Sequence, residues 1–283
     1  MERRHAAASI VGWLLIAGMV LCAAPIRAQQ DPVYERVMRE KKLRVFAIQY
    51  PPQTYREQAG EEWRGFDADI YRYIAKRLGV ELEVVWTTPA AMVPTLTAGR
   101  ADMGSGLYKT PEREKVIDFT VPYKWVGDHI IVHVDNKQQI NSLETLKGHV
   151  LAAPRGTAEE LAARQIQEAG YAKSVQSYES TDAMFRDLLA KRVDAIVYQT
   201  AYFQWVQSQN RDLGEKTYLS FEIDPKFFGR TIRSPSQFPV QKGATKLADA
   251  VGKIIVEMRE NGELARIFKT YGITEPTVWT PPQ

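Results

Sequence analysis

Short apolar runs alternate along the chain with longer segments in which every third or fourth residue is apolar. KKLRVFAIQY (41–50) is typical of a β-strand, and GFDADIYRYIAKRLG (65–79) is typical of an amphipathic helix that starts with Asp67 as its candidate N-cap. In that helix Ile70 and Ile74 would share one buried face. Strands that alternate with helices of this length predict an α/β fold with largely parallel sheets.

The order of strand and helix is repeated in the second half of the chain. AMVPTLTAGRADM (91–103) and AMFRDLLAKRVDA (183–195) agree at six of thirteen aligned positions, although a shared helix–turn–strand order accounts for much of this. We therefore expect two similar lobes. Ligands of open α/β sheets bind beyond the carboxyl ends of the strands, which predicts a site in the cleft between the lobes.

The two ends of the chain are expected to differ from this pattern. A basic start, an apolar stretch from Ala6 to Ala24 and a small residue at Ala28 are typical of a secretory signal peptide, residues 1–28. An uncleaved membrane anchor is the alternative, because the apolar stretch is near the lower limit for a span. At the other end, TEPTVWTPPQ (274–283) is expected to be a loose tail.

Composition excludes several classes of function. Cys22 is the only cysteine, so the mature protein would have no disulfide, thiol nucleophile or cysteine-bound metal. Cleavage after Ala28 removes three arginines and one glutamate, which lowers the formal net charge from +3 to +1. A chain so close to neutral has no basic field for nucleic acid or anionic lipid.

Two motifs suggest a metal site or a nucleophile that their sequence context does not favour. His129 and His133 have the spacing of a helical zinc pair, but HIIVHV alternates as a strand does, which would separate the rings by roughly 13 Å. Ser105 in GSG has no histidine in a matching segment and no nucleophile-elbow motif around it. We therefore expect no catalytic residue, no metal and no cofactor.

The segment YKTPEREKVIDF (108–119) places Arg113 in the first turn of a short predicted helix whose N-cap is Thr110. A cation there meets the positive end of the helix dipole, which favours anions. Two interpretations remain open. Arg113 is either a solvated charge made tolerable by Glu112 and Glu114, or a group that binds a negative ligand.

A second helix start, APRGTAEEL (153–161), follows a strand of the second lobe. Thr157 and Glu160 match the capping-box pattern, and finishing the helix is one sufficient reason for it. The alternative is that the free amides after Gly156 form an anion site that faces Arg113 across the cleft. A guanidinium binds a carboxylate through two parallel hydrogen bonds, and the helix amides could take the remaining lone pairs.

The chain resembles the family 3 extracellular solute-binding proteins of bacterial ABC importers, which bind polar amino acids. The resemblance covers residues 42–273 in order. The matching motifs are LRVFAIQYPP (43–52), GFDADIYRYIAKRLG (65–79), VPTLTAGRADM (93–103), TPEREKVIDFTVPY (110–123), LKGHVLAAPRGTAEEL (146–161), RVDAIVYQT (192–200) and NGELARIFKTYGI (261–273).

This resemblance implies two Rossmann-like lobes joined by two crossover strands, the type II periplasmic binding protein fold. Lobe 1 is expected to comprise residues 42–127 plus 236–275, lobe 2 residues 128–235, and the tail residues 276–283. The lobes would close on a small solute like a hinged trap.

The resemblance also implies roles for individual residues. Arg113 falls on the arginine that binds the ligand carboxylate, and Thr157 and Ala158 fall on the opposing helix start. Tyr50 falls on an aromatic residue that covers the ligand side chain.

Ser105, Gly106 and Tyr108 fall on the loop that usually contacts the carboxylate and amino end of the ligand. Tyr108 stands where a small hydroxyl residue is common, which predicts a narrower pocket.

Two further departures concern the ligand. Gln199 stands where the amino acid binders usually have an aspartate that holds the α-ammonium group. A buried ammonium without a counter-charge loses hydration that a neutral amide repays only in part, so the ligand could lack a free ammonium. Thr88 stands where some members have a second aromatic residue.

The sequence therefore predicts a monomeric periplasmic binding protein that delivers a small carboxylate-bearing solute, an amino acid or a derivative, to the membrane permease of an ABC importer. A cyclohexadienyl dehydratase-like enzyme on the same scaffold is one alternative. Glu159 is the only obvious acid beside the predicted site that such an enzyme could use. A ligand-sensing partner of a membrane receptor is the other alternative.

Overall fold

The computed structural model describes residues 31–58, 60, 62–229 and 233–282. The predicted signal peptide, residues 1–28, lies outside the described residues. No helix in the described part of the chain is both long and apolar enough to cross a bilayer.

Ten helices and eleven strands are assigned within these ranges. The helices are α1 Pro32–Glu40, α2 Phe66–Leu78, α3 Met92–Thr97, α4 Pro111–Glu114, α5 Ala158–Glu168, α6 Thr181–Leu189, α7 Thr200–Gln209, α8 Arg211–Lys216, α9 Thr245–Glu260 and α10 Glu263–Thr270. The strands are β1 Lys42–Ala47, β2 Glu81–Trp86, β3 Met103–Gly104, β4 Leu107–Tyr108, β5 Ile117–Val126, β6 Asp128–His133, β7 Val150–Pro154, β8 Ser174–Tyr178, β9 Ala195–Gln199, β10 Thr217–Glu222 and β11 Ser234–Gln241.

The strands form two separate sheets. The first has the order β2-β1-β3-β11-β4, with β5 paired to β11, and the second has the order β10-β6-β9-β7-β8. The chain passes from the first sheet to the second at Gly127, between β5 and β6, and returns between β10 and β11. The predicted fold class, two Rossmann-like lobes joined by two crossovers, is confirmed, while the exact lobe boundaries stay a prediction.

Apolar side chains from both ends of the chain fill the core of the first lobe. Tyr123 on β5 stacks on Phe238 of β11 with ring centroids 4.1 Å apart, and Phe238 contacts Tyr71 of α2 at 4.6 Å.

Helix α2 begins after Gly65, so the expectation that Asp67 is its N-cap is wrong. Asp67 lies inside the first turn and is fully buried.

The second lobe repeats the helix–turn–strand unit of the first, as the sequence comparison predicted. Helix α3 leads to β3 through Gly99 at φ 68°, and α6 leads to β9 through Lys191 at φ 57°. The left-handed backbone is favourable for glycine and costly for lysine. The two turns therefore have the same left-handed geometry, but only the first has glycine at that position.

The end of the chain is packed rather than loose, in contrast to the expectation for residues 274–283. Val278 and Trp279 are 2% and 7% exposed, and the Trp279 ring stacks on Phe268 at 5.8 Å. Gln204 of α7 hydrogen-bonds to Thr274, so the last residues also contact the second lobe. Burial of Val278 and Trp279 explains why this segment is packed, although its polar, proline-rich sequence indicated a loose tail.

Candidate functional site

A cavity of about 290 Å³ lies at the carboxyl ends of the strands, where the two lobes meet. Its lining comprises Ile48, Tyr50, Gln53, Pro89, Met92, Ser105, Gly106, Leu107, Tyr108, Arg113, Lys124, Val126, Gln199 and Ser236. Six residues predicted from the sequence thus come together, namely Tyr50, Ser105, Gly106, Tyr108, Arg113 and Gln199.

The other three predicted site residues do not line this cavity. Thr88 precedes the turn Pro89–Ala91 and accepts a backbone hydrogen bond from Ala91, so its neighbours rather than Thr88 itself reach the cavity. Thr157 and Ala158 lie at the start of α5 in the second lobe.

Arg113 is held at the cavity by its own short helix. Thr110 caps α4 and accepts a hydrogen bond from the Arg113 amide at 3.3 Å, while the Arg113 Nη1 donates to the Tyr108 carbonyl at 2.6 Å. Neighbouring Glu114 pairs with Lys109 instead, at 2.6 Å. Within the described ranges no carboxylate lies at ion-pair distance from Arg113, so its half-buried guanidinium has no internal counter-charge.

The Ser105–Gly106 loop is fixed by contacts within the first lobe. The Ser105 amide donates to the Phe46 carbonyl at 3.1 Å, and the Gly106 amide donates to Asp67 Oδ2 at 3.1 Å. A Cβ atom on Gly106 would lie 2.3 Å from the Tyr123 hydroxyl. Only glycine lets the loop approach Tyr123 this closely.

Asp67 organises the floor beneath that loop. Its carboxylate accepts hydrogen bonds from the Tyr123 hydroxyl at 2.6 Å and from Gln53 Nε2 at 3.0 Å, in addition to the Gly106 amide. Burial raises the pKa of Asp67 to about 6, against the opposing effects of the Lys124 charge and these hydrogen bonds.

Lys124 on β5 is a second cation on the cavity wall that sequence reasoning missed. It is 6% exposed, its Nζ donates to Gln53 Oε1 at 2.9 Å, and Nζ lies 5.0 Å from the centroid of the Phe66 ring. Burial lowers its pKa to about 8, although Asp67 acts in the opposite direction. Both groups are therefore mostly charged at neutral pH. The available signal was a lone lysine between Tyr123 and Trp125, within the otherwise apolar stretch VPYKWV (121–126).

The start of α5 forms the predicted capping box in both directions. Thr157 Oγ1 accepts from the Glu160 amide at 3.2 Å, and the Gly156 amide donates to Glu160 Oε2 at 2.6 Å. Hydrogen bonds from Ser177, the Gly156 amide and Arg164 lower the pKa of Glu160 to about 2. Glu160 thus occupies the Gly156 amide, and an anion would have to use the amides that follow it.

The second lobe contributes one predicted residue to the cavity, Gln199 at the end of β9. Partial burial, together with the Glu159 carboxylate of the second lobe, raises the pKa of Tyr50 in the first. Glu159 therefore acts on Tyr50 electrostatically across the cleft, although it does not line the cavity.

The electrostatics of the lining are one-sided. Arg113 and Lys124 both line the cavity, whereas no aspartate or glutamate is found among its described lining residues. An anionic ligand fits this arrangement better than a cationic one. Neutral Gln199 offers no counter-charge to a ligand ammonium group, and none of the other described lining residues is an acid.

No group of three or more His, Cys, Asp or Glu side chains is placed for a metal ion in the described part of the chain. His129 and His133 lie on strand β6, as predicted. His129 Nδ1 is 2.8 Å from the Thr200 hydroxyl, and burial lowers the pKa of His129 to about 4. This histidine is a neutral, hydrogen-bonded residue near the crossover.

A wider groove of about 690 Å³ lies elsewhere, between β5 and α9. Its lining includes Val121, Gly252 and Val256, and its charged residues are of both signs. Small-molecule sites combine an enclosing wall with a few converging polar groups. The smaller cavity at the cleft has these groups and is the candidate site.

A model of the bacterial extracellular solute-binding proteins, family 3, matches residues 44–274. The chain is 26% identical over 271 residues to the L-cystine-binding protein TcyJ of Escherichia coli (strain K12), with 95% of each chain covered. It is similar to the solved structure of an ancestral cationic amino acid solute-binding protein at 28% identity and a TM-score of 0.69, over 85% of this chain and 99% of the other. An ancestral cyclohexadienyl dehydratase matches at 24% identity and a TM-score of 0.62, over 86% and 96% of the two chains, which shows a shared fold alone.

Proposed function

The chain belongs to the bacterial extracellular solute-binding proteins, family 3, and from that premise we propose that it captures an amino acid or a related small carboxylate in its cleft. The captured solute would then pass to the membrane permease of an ABC importer. The relative TcyJ is an L-cystine-binding protein, and the ancestral neighbour is a cationic amino acid binder. These names support the class of ligand rather than its identity.

The observation that carries this proposal is Arg113. Its guanidinium borders the cavity without a counter-charge in the described structure, and its hydrogen bond to the Tyr108 carbonyl fixes its direction. A ligand carboxylate would supply the missing charge through two parallel hydrogen bonds.

Closure of the lobes would complete the site. In this proposal Thr157 and Ala158 approach the ligand from the second lobe, and their amides bind it at the positive end of the α5 dipole. Because the contacts from the start of α5 would then exist only in the shut form, binding shifts the population towards that form. The shut monomer, exported to the periplasm, would dock on the permease.

A thermal-shift screen of amino acids and small carboxylates on the mature protein tests the proposal, because a bound ligand raises the melting temperature by mass action. We expect Arg113→Ala to lower the affinity for every hit by at least about thirtyfold. The matched control is Arg211→Ala on α8, where the side chain is 88% exposed. Full binding by the Arg113→Ala protein would contradict the proposed recognition.

A dehydratase is the second candidate, favoured only by the position of Glu159 across the cleft from Tyr50. An acid there could protonate a leaving hydroxyl of a bound substrate. Purified protein should therefore be incubated with prephenate and arogenate, beside a Glu159→Gln variant. We expect no turnover. Turnover that disappears in the variant would make the protein an enzyme.

A further inference from the structure

The ammonium group of Lys124 has more hydrogen-bond donors than it has acceptors around it in the described structure. An ammonium has three hydrogen-bond donors, and in the described structure Nζ makes one hydrogen bond, to Gln53 at 2.9 Å. The side chain is 6% exposed and lines the same cavity as Arg113. A buried charge with unused donors is costly unless a partner arrives.

Asp67 is not that partner, because the described residues place no ion pair between the two groups. Gln53 separates them, since its Oε1 accepts from Lys124 and its Nε2 donates to Asp67. The Asp67 carboxylate already accepts from Tyr123, Gly106 and Gln53. Asp67 is satisfied without a direct bond to Lys124, so its presence alone does not explain a lysine at this position.

The charges around the cavity point in the same direction. Arg113 and Lys124 line it, Gln199 is neutral, and the acids nearby lie outside the lining. Asp67 is buried beneath the floor, and Glu159 is on the second lobe. A ligand with one carboxylate would pair with Arg113 and leave Lys124 with only the Asp67 carboxylate, from which Gln53 separates it.

We propose that Lys124 is a ligand-binding residue that selects for small dicarboxylates, with one carboxylate on Arg113 and the second on Lys124. The cavity of about 290 Å³ is at the small end of ligand pockets, which suits an acid of this size. This proposal rests on the proposed capture of a carboxylate by Arg113, and it adds the class of ligand. An ammonium group on the ligand is not required, because no acid is found among the described lining residues.

The test compares each diacid with its own monoamide, a pair that differs in one charge and hardly in shape. Isothermal titration calorimetry would use succinate against succinamate, glutarate against glutaramate, and glutamate against glutamine. We expect the wild-type protein to bind at least one diacid about tenfold or more tighter than its monoamide. Lys124→Met should bring that ratio to about one while leaving monoamide binding in place.

Two variants control for charge and for folding. Lys253→Met removes one positive charge from α9, outside the cleft, and should leave the ratio unchanged. Lys124→Arg keeps the charge and should keep most of the preference. If Lys124→Met does not fold, a wild-type ratio of about one, or loss of the preference in Lys124→Arg, would still overturn the proposal.

The outcomes separate this proposal from the one beneath it. Monoamides or neutral amino acids that bind as tightly as diacids, with all binding dependent on Arg113, would overturn the role of Lys124 and leave the proposed function standing. An equal loss of diacid and monoamide binding in Lys124→Met would assign Lys124 a structural role and also overturn it. If no carboxylate binds the wild-type protein, both proposals are wrong.

Discussion

The two walls of the cleft are built differently. The wall from the first lobe carries both cations and a glycine loop. Lys124, Gln53, buried Asp67 and that loop form one hydrogen-bonded unit. The second lobe contributes Gln199 to the cavity, and in the proposed shut form it would add the start of α5, where Glu160 already occupies the Gly156 amide. The difference suggests that charge recognition belongs to the first lobe, and that the second lobe adds neutral backbone contacts on closure.

The largest expected effect comes from comparing one glycine in each wall. A Cβ on Gly106 would lie 2.3 Å from the Tyr123 hydroxyl, whereas a Cβ on Gly156 meets nothing within 4 Å. We expect Gly106→Ala to abolish ligand binding and to destabilise the protein by roughly 1–3 kcal/mol through overpacking. Gly156→Ala is strained only by its φ of 73° and should cost about 1–2 kcal/mol while keeping ligand binding. Equal losses of affinity would remove the asymmetry between the walls.

Titration of Asp67 in the first wall and of Glu160 in the second should change the unfolding free energy in opposite directions as the pH rises. Asp67 titrates with a pKa of about 6 in the folded protein, against an ordinary value of 3.8, so the folded state holds its proton to higher pH than the unfolded state. The unfolding free energy should therefore fall by up to about 3 kcal/mol between about pH 4 and pH 6. Denaturant unfolding of wild-type and Asp67→Asn proteins over this range checks the prediction. A difference between them that does not change with pH would contradict it.

Glu160 behaves in the reverse sense, because its pKa falls from 4.5 to about 2 on folding. Its stabilising contribution is present above about pH 4.5 and is lost as the pH falls through about 2. Glu160→Gln should flatten the stability curve only in that acid range. The side chain lies at the surface and remains partly exposed, so we expect a smaller effect than for Asp67, and high salt should reduce it.

The sequence predicted what local chemistry determines. Thr110 as a cap, Arg113 in the first turn and the Thr157–Glu160 box each depend on neighbours within a few positions, so their patterns are visible in the letters. Asp67 was wrongly assigned as an N-cap, and Lys124 was missed, because both make long-range contacts. Asp67 accepts a hydrogen bond from Tyr123, 56 positions away, and Lys124 donates one to Gln53, 71 positions away. Long-range pairing of this kind leaves no periodic signal.

An intermediate effect is expected from restoring an acid at the second wall. Gln199→Asp would place a carboxylate on the cavity, which offers a counter-charge to an α-ammonium group. We expect glutamine and glutamate to bind about tenfold tighter, since a charged hydrogen bond contributes about 1.5–3 kcal/mol. Succinate and glutarate lack the ammonium and should bind more weakly than to the wild-type protein. Calorimetry with these four ligands measures both changes, and no gain for the amino acids would count against the ammonium argument.

The smallest effect should come from the cap of α5. Thr157→Val removes the hydroxyl that accepts from the Glu160 amide and donates to the Pro154 carbonyl, which should cost about 1 kcal/mol of stability. Affinity should fall only a few-fold, because the backbone amides that would approach the ligand remain in place. Thr157→Ser keeps both hydrogen bonds and serves as the matched control. If Thr157→Val weakened binding as much as Arg113→Ala, the second wall would hold the ligand as firmly as the first, and the difference between the walls would have no consequence for recognition.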